Sequence, residues 1–321
     1  MSEYELEPLT EQNLGSLVPL MQDAFGHRDV DIGYFRWKYL ENPAGPVTGM
    51  FALAQDTGKV AAYFGMIPEM YRFGSDRRCV YQACDVMTHS SHQRRGLFRK
   101  LALETCRQAE SRDPKFFAIG FSGAATTPGY VKMDWDVTFE IPFYFKPRVL
   151  CRLAVLTGSG APLIESGELT LEFCSLISES AANRLNGKVM DEKFIRWRLG
   201  NPRRAYRYLS NPEGAYAVYY ESHGFVFLFD FFETSRKSGR AVMARLAQMV
   251  LAKRLKGLLT FCQRARDCEA RLKRHGFLRN DFGRGPASQR IPFITYTRDR
   301  TAADLQRPEA WDITPFDHDS Y

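Results

Sequence analysis

Hydrophobic and polar positions have helical spacing in some segments of the chain and form strand-like apolar runs in others. Together these segments predict a mixed α/β protein. Residues 9–25 carry an apolar stripe at helical spacing, whereas residues 50–54 and 60–66 read as two strands joined by a polar turn. A third strand at about residues 79–87 leads through a second polar turn into a helix that begins near Leu97. Meandering strands that feed a strand–turn–helix unit are typical of an α+β or mixed α/β domain.

The second half of the chain repeats part of the first half. The dipeptide Arg-Trp at 36–37 recurs at 196–197, and Asn-Pro at 42–43 recurs at 201–202 after a one-residue deletion. The same order of predicted strands and helices follows each copy, which indicates the duplication of a domain. We therefore predict two tandem domains, with the boundaries 1–148 for the first domain, 149–162 for a Gly-, Ser- and Pro-containing linker and 163–321 for the second domain.

Composition and charge narrow the class of partner. The net charge of +7 on 321 residues fits an anionic ligand, and it fits a solvated basic surface equally well. The sequence has no lysine-rich tail and no array of arginines of the kind that favours nucleic acid. It also has no stretch apolar and long enough to span a bilayer, and no apolar signal region follows its acidic N-terminus. We expect a cytoplasmic protein without a nucleic-acid partner and without membrane insertion.

The cysteines argue against a disulfide framework and against a zinc site. There are seven of them, scattered along the chain, and none forms a C-x-x-C pair. Most lie in apolar runs, where a free thiol usually acts as a small core residue. We expect no bound metal.

The clearest candidate site is the segment that joins the third strand to the following helix. Residues 93–98 read Gln-Arg-Arg-Gly-Leu-Phe and open that helix. Backbone N–H groups at a helix start are unpaired, and the helix dipole adds positive potential there. Arg99 and Lys100 add further positive charge. The segment therefore predicts a site for an anion such as a diphosphate.

The same six residues resemble the acyl-CoA pyrophosphate loop of the GNAT acyltransferase superfamily, which is written Q/R-x-x-G-x-G/A. The first four positions match, and Phe98 stands at the sixth position in place of Gly or Ala. The family's later block, Tyr-x-x-x-Gly-Phe, resembles the segment that begins at Tyr130, where Asp134 and Trp135 replace Gly and Phe. The second half lacks the loop spacing at residues 234–240.

The resemblance implies two tandem GNAT-like domains of α/β (α+β mixed sheet) class. Each would have a mostly antiparallel central sheet flanked by helices, and the second would be degenerate. The co-substrate would be acetyl-CoA or another acyl-CoA, with no metal. The residues assigned to acyl-CoA are Val86, Met87 and Thr88 on the strand, and Gln93, Arg94, Arg95, Gly96, Leu97 and Phe98 in the loop.

Acyl transfer to an amine requires a polarised thioester carbonyl, a neutral amine and a proton for the departing thiolate. Tyr130 matches the family's general acid, although it also fits a turn tyrosine that packs on the sheet. Asp85 lies one residue before the pantetheine segment and is the candidate base, although it also fits a hydrogen-bonded structural residue. His89 and His92 are the other candidate bases, and each also fits a surface turn.

The expected acceptor is a primary amine of a small molecule. The polar and aromatic tail at residues 311–319 resembles the ends of tandem GNAT proteins encoded with cell-envelope polysaccharide enzymes, which favours an amino sugar or nucleotide sugar. Two other functions stay open. A Fem-type aminoacyl transferase also pairs domains of this fold, but the intact loop and the moderate basicity argue against it. A non-catalytic acyl-CoA-binding or sensor protein is the alternative without turnover.

Overall fold

A computed structural model gives the fold of residues 3–156, 162–182, 184, 186–280, 287 and 289–319. The chain forms two compact units, and each combines segments that are distant in sequence. The first unit comprises Met1–Phe139, Gly200–Arg203 and Pro292–Ala310, and the second comprises Glu140–Leu199, Arg204–Ile291 and Trp311–Tyr321.

The elements alternate between strands and helices along the chain. The strands are β1 (Tyr4–Pro8), β2 (Thr48–Ala54), β3 (Val60–Phe73), β4 (Asp76–Thr88), β5 (Ala118–Phe121), β6 (Asp136–Ile141), β7 (Phe143–Pro147), β8 (Ile164–Ser166), β9 (Asn186–Lys188), β10 (Arg207–Ser210), β11 (Tyr216–Ser222), β12 (Phe225–Phe232), β13 (Gly257–Phe261), β14 (Leu278–Arg279) and β15 (Ile291–Tyr296). The α-helices are α1 (Leu17–Phe25), α2 (Ile32–Tyr39), α3 (Leu97–Arg112), α4 (Thr127–Val131), α5 (Arg148–Leu156), α6 (Leu171–Ala182), α7 (Glu192–Leu199), α8 (Arg236–Ala252) and α9 (Asp267–Arg274).

The first unit is built on a sheet with the strand order β1-β2-β3-β4-β5-β15-β6. The pairs β1/β2, β2/β3 and β3/β4 are antiparallel. Strands β4 and β5 are parallel, and β15 runs antiparallel to β5. Helix α3 places Leu97, Leu101 and Cys106 in the buried core with Phe64 of β3. The predicted helical stripe that begins at Leu97 is therefore confirmed as the face of α3 that covers the sheet.

The second unit has the same arrangement, with the strand order β8-β10-β11-β12-β13-β7-β14. Again one pair at the centre, β12 with β13, is parallel, and the other pairs for which the register is known are antiparallel. Helix α8 buries Val242, Leu246 and Val250 in the core of this unit. The fold class expected from the sequence, two mixed and mostly antiparallel sheets flanked by helices, is confirmed.

The sixth strand of each sheet comes from the other half of the sequence. Strand β15, near the end of the chain, lies between β5 and β6, whereas β7, near the middle, lies between β13 and β14. The sequence-based boundary at residue 148 placed β7 in the first domain, and the structure instead places it in the second unit. Residues 148–156 of the segment around the expected linker form α5, and residues 157–161 lie outside the described residues. Gly and Pro mark where a connection lies, but they do not determine which sheet receives the strand before it.

The repeated motif has the same local structure in both halves. The carboxylate of Asp31 accepts a hydrogen bond from the Tyr34 N–H at 3.0 Å and begins α2, while Asp191 accepts one from the Phe194 N–H at 2.8 Å at the start of α7. Such N-caps fix where each helix starts. Together with the matched strand orders, they support the duplication inferred from the sequence.

Candidate active site

Strand β4 contains a β-bulge at Asp85. Its register with β3 passes from Cys84 opposite Gly65 to Met87 opposite Tyr63, so β4 has one residue more than β3 over this stretch. Asp85 has φ 46°, in the left-handed region that costs a non-glycine residue free energy. The bulge therefore needs contacts from the surrounding structure to hold it.

Helix α2 supplies those contacts. The Lys38 Nζ lies 2.6 Å from Asp85 Oδ2, and the Tyr39 hydroxyl donates to the same oxygen at 2.7 Å. The Lys38 side chain is 1% exposed and the Asp85 side chain 9% exposed, so the ion pair is buried. Burial and, after it, the negative charge of Asp85 raise the pKa of Tyr39 well above its ordinary value, so this hydroxyl remains a donor.

Sequence reasoning missed Lys38 and Tyr39. The available signal was a lysine within an aromatic run, which leaves little polar surface to keep every charge in water: Tyr34-Phe35-Arg36-Trp37-Lys38-Tyr39. Arg198 stands at the matching place of α7 and is also buried. A buried cation at both places required a partner that only the folded chain shows.

Strands β4 and β5 pair over a short stretch and then separate. Tyr81, Gln82 and Ala83 pair with the segment 118–120, and no further pair between these two strands occurs among residues that the structure describes. The His89 N–H donates to the Ala61 carbonyl at 2.9 Å, so His89 faces β3. Because strand residues alternate, the N–H groups of Thr88 and Val86 point away from β3, toward the side where β5 has ended.

The loop after β4 presents further free donors. Gly96 has φ 74° and begins α3 without a side-chain cap. The Lys100 N–H donates to the Gly96 carbonyl at 3.1 Å, whereas the N–H groups of Leu97, Phe98 and Arg99 have no acceptor within the described part of the chain. A Cβ at position 96 would meet nothing within 4 Å. These donors are therefore accessible to an anion.

The side chains of the loop divide into anchoring and exposed groups. Leu97, the first residue of α3, is buried, and Arg95 forms an ion pair with Glu3. Gln93 and Arg94 are exposed, and Arg94 has φ 62°. The structure thus brings together the strand residues and loop residues that the sequence assigned to acyl-CoA, because they follow one another directly from β4 into α3.

Tyr130 lies on the short helix α4 and packs against the loop residue Phe98. The two ring centroids are 5.0 Å apart and the rings are edge-to-face, while the Trp135 ring lies 4.9 Å away. Tyr130 is only 3% exposed. A Cβ on Gly129 would approach the Phe98 ring to 2.5 Å, so the phenylalanine at the sixth loop position depends on glycine before Tyr130. Tyr130 as the acid stays a prediction.

The departures from the Tyr-x-x-x-Gly-Phe block have a structural explanation. Asp134 has φ 64°, the conformation that glycine ordinarily provides, and the Trp135 N–H donates to the Tyr130 carbonyl at 3.2 Å. In the second unit Gly276 has φ 77°, and the Phe277 N–H donates to the Leu272 carbonyl at 3.1 Å. Both halves therefore make the same helix-ending turn.

The two histidines occupy the turn between β4 and the loop. His89 Nδ1 lies 2.8 Å from Ser91 Oγ, and its Nε2 lies 3.6 Å from Asp23 Oδ1. The Ser90 backbone N–H is the largest influence on Asp23 and holds the pKa of that carboxyl below its ordinary value. His92 Nδ1 lies 3.0 Å from the Tyr4 hydroxyl. The Ser91 N–H also donates to His89 Nδ1 at 3.2 Å, so both ring nitrogens of His89 have partners.

The corresponding helix start in the second unit is closed. Ser235 and Ser238 form a capping box in which each side chain accepts a hydrogen bond from the backbone N–H of the other residue. A Cβ at Gly239 would lie 1.9 Å from the Glu233 carboxylate, which is unlike the open space at Gly96. The capping box and this carboxylate close the helix start, so the backbone N–H groups of α8 do not offer the anion site that those of α3 offer.

Comparison with known proteins agrees with this geometry. The family described as Acetyltransferase (GNAT) domain matches residues 5–138. A probable N-acyltransferase from Enterococcus faecalis V583 has TM-score 0.68 at 10% identity, covering 92% of this chain and 72% of that one. A tandem GNAT protein from the clavulanic acid biosynthesis pathway has TM-score 0.60 at 14% identity, covering 92% and 98%.

A third similar structure is the Saccharomyces cerevisiae N-myristoyltransferase with bound myristoyl-CoA, with TM-score 0.59 at 12% identity over 92% of this chain and 79% of that one. At such identities the likeness concerns the fold. Among curated proteins, none matches the chain by sequence. No helix in the described segments has the length and apolar character needed to cross a membrane.

Proposed function

We propose that the first unit, whose residues 5–138 match the GNAT acetyltransferase family, transfers an acyl group from acyl-CoA, with acetyl-CoA as the first candidate, to a primary amine of a small molecule. The observation that carries the proposal is a pair of open donor sets that flank one loop: the N–H groups of Val86 and Thr88 in β4, and those of the first turn of α3. A diphosphate requires donors at a helix start, and a thioester carbonyl requires donors at a strand edge; here they lie 8 residues apart, at Thr88 and Gly96.

In this proposal the N–H groups of the first turn of α3 hold the diphosphate of CoA, and Arg94 adds positive potential. The N–H groups of Val86 and Thr88 face the side where β4 and β5 separate, and they polarise the thioester carbonyl. Preorganised donors of this kind contribute about 3–4 kcal/mol each at a developing oxyanion. The N-myristoyltransferase relative supports an acyl-CoA co-substrate of either short or long chain.

The proton transfers involve two separate residues. Attack of the neutral amine on the carbonyl forms the C–N bond and breaks the C–S bond. The attacking nitrogen gives one proton to the base, and the thiolate that leaves takes a proton from the Tyr130 hydroxyl, which regains one from solvent before the next turnover. The packing of Tyr130 on Phe98 keeps its ring beside the CoA loop. We place the base at His89, whose side chain is 39% exposed, because the Asp85 carboxylate is buried against Lys38 and Tyr39; to take the amine proton, His89 Nδ1 exchanges its hydrogen bond from the Ser91 N–H. Asp85 then serves to hold the bulge.

The sequence favours an amino sugar or nucleotide sugar as the acceptor in the cytoplasm. Such amines are therefore the first acceptors to test. Calorimetry with acetyl-CoA, longer acyl-CoAs and free CoA, together with turnover on an amine panel, tests the proposal. We expect Gly96→Glu to weaken acyl-CoA binding at least about tenfold, because a carboxylate would then occupy the diphosphate position.

A matched control is Gly58→Glu. Gly58 has φ 65° and, like Gly96, nothing within 4 Å of a Cβ, so the backbone strain of the two substitutions is equivalent. Acyl-CoA binding that survives Gly96→Glu as well as it survives Gly58→Glu would contradict the assigned site. Binding of acyl-CoA without turnover of any amine would favour the sensor function instead.

A further inference from the structure

The second unit contains a cavity that the acyl-CoA site does not use. It encloses about 260 Å³ and is bounded by strand β7, helices α5 and α8, and the end of α9. This volume lies just below the roughly 300–1,000 Å³ of pockets that bind drug-sized ligands, so the pocket suits only a smaller molecule. The capping box at Ser235 occupies the N–H groups of α8, so any ligand here is held by side chains.

Four cationic side chains surround this cavity: Lys146, Arg236, Arg240 and Arg274. Arg274 is paired with Glu233 at 2.7 Å. Neither Arg236 nor Arg240 has an ion-pair partner in the part of the chain that the structure describes. Positive charge therefore exceeds negative charge at the cavity.

Two of these cations, Arg236 and Arg240, lie near each other at the start of α8, where both residues are exposed. Arg236 and Arg240 are four residues apart on α8, where like charges repel each other. Arg236 is also the first residue of the helix, at the positive end of its dipole. A negatively charged ligand would remove both penalties.

Lys146 adds a buried cation. Lys146 is only 4% exposed. Its Nζ donates to the backbone carbonyl of His275 at 2.7 Å, and this acceptor is neutral. Burial lowers the pKa of Lys146. An ammonium without a carboxylate partner is costly to bury, and an anion in the cavity offsets that cost.

Part of the lining of the cavity is apolar. Leu150, Leu153 and Ala154 of α5 and Met243 of α8 form it. Leu153 is 58% exposed, which leaves hydrocarbon surface that a ligand could cover. The ligand therefore combines an anionic group with an apolar body.

We propose that this cavity is a second ligand site, for a small phosphorylated molecule with an apolar portion, in which Arg236, Arg240 and Lys146 bind the phosphate and the leucines of α5 contact the apolar portion. A phosphate monoester is favoured over a carboxylate because it carries nearly two negative charges and more acceptor oxygens, which matches several cations. The site is independent of acyl-CoA binding in the first unit.

Calorimetry of the full chain with phenyl phosphate, inorganic phosphate and benzoate tests the proposal. We expect phenyl phosphate to bind about tenfold more tightly than inorganic phosphate, because its ring leaves water for the leucine wall. We expect benzoate to bind at least about tenfold more weakly than phenyl phosphate, because it brings one negative charge and two acceptor oxygens. Equal binding of benzoate and phenyl phosphate would overturn the phosphate assignment, and equal binding of the two phosphates would overturn the apolar one.

Variants locate the site. Arg240→Ala should reduce phenyl phosphate affinity about 10- to 100-fold, since it removes a charged hydrogen-bond donor. Leu153→Ser should reduce the preference for phenyl phosphate over inorganic phosphate. Arg152→Ala is the matched control, because Arg152 is an exposed arginine of α5 that does not line the cavity. An unchanged phenyl phosphate affinity in Arg240→Ala would overturn the site, and so would an equal loss of affinity in Arg152→Ala. Loss of phenyl phosphate binding in Gly96→Glu would also overturn it, because the ligand would then bind in the first unit.

Discussion

Lys38 of α2 reaches Asp85 of β4 with 2.6 Å between Nζ and Oδ2, and it does so at the bulged residue whose φ is 46°. The contact joins residues that are 47 positions apart. It places a buried positive charge beside the turn in the backbone that redirects the N–H groups of Val86 and Thr88. Asp85 is therefore a positioning residue in our proposal, and the first prediction concerns its partner.

Lys38→Met should destabilise the protein by about 3–5 kcal/mol, because it leaves the buried carboxylate of Asp85 without its counter-charge. Urea unfolding measures the loss. Arg36→Met is the control from the same helix: Arg36 is exposed and pairs with exposed Glu11, so its loss should cost about 0–1 kcal/mol. The double variant Lys38→Met/Asp85→Asn should recover part of the stability. Similar costs for the two single variants would show that the ion pair does not hold the bulge.

Gly129→Ala should destabilise the protein by about 1–3 kcal/mol, because the added methyl group meets the Phe98 ring. Phe98→Ala should reduce that penalty, and a double-mutant cycle on the free energy of unfolding measures the coupling. Gly123→Ala is the control, since a Cβ there meets only Thr126 at 3.9 Å. If the penalty of Gly129→Ala is the same with and without Phe98, the packing of the loop against α4 is not as described.

Tyr130→Phe should lower kcat by about 10²- to 10⁴-fold while acyl-CoA binding stays constant, because the thiolate loses its proton donor. Steady-state kinetics and calorimetry separate the two effects. Tyr296→Phe provides the comparison, since Tyr296 is also a buried tyrosine of the first unit, with its hydroxyl 3.4 Å from Glu110. Turnover that is unchanged in Tyr130→Phe would remove this residue as the acid.

Acid should destabilise the second unit through Glu233. Burial alone would raise the pKa of this carboxyl, but hydrogen bonds from His275 and Arg274 outweigh burial and hold the pKa below its ordinary value of 4.5. A depressed pKa contributes stability that is complete above the ordinary value and is lost as the pH falls through the folded-state pKa. Unfolding free energies measured from pH 6 downward should therefore fall below about pH 4.5.

The variant Glu233→Gln should be less stable at pH 6 and should lose less stability in acid. Glu213→Gln is the control, because Glu213 is exposed and its nearest cation is 3.8 Å away. An acid dependence that is the same in Glu233→Gln and in the wild type would assign the effect to other carboxyls.

Sequence patterns predicted the parts of this protein that depend on neighbouring residues. The hexapeptide at 93–98 marked the turn into α3, and the structure places Gly96 there in the left-handed conformation. The Arg-Trp and Asn-Pro repeats marked a duplication that the two strand orders support. Asp134 looked like a departure from the family block, yet aspartate tolerates a positive φ well enough to make the same turn.

Contacts between distant residues could not be predicted in the same way. The partner of Asp85 is Lys38, and no spacing in the sequence connects them. The closed helix start at Ser235 looked only like a loop with irregular spacing, and the basic cavity beside it depends on α5, which occupies part of the expected linker.

The amino-acid sequence by itself determined the periodic elements, the turn at residues 93–98 that leads into α3 and the duplicated plan, because helix starts, turns and strand alternation follow from local backbone preferences. The tertiary structure decided two further things: that Lys38 and Tyr39 hold the bulge in β4, and that β7 and β15 each enter the sheet of the other half. Both depend on pairing over long sequence separations, where burial and hydrogen bonding select among partners that are locally equivalent.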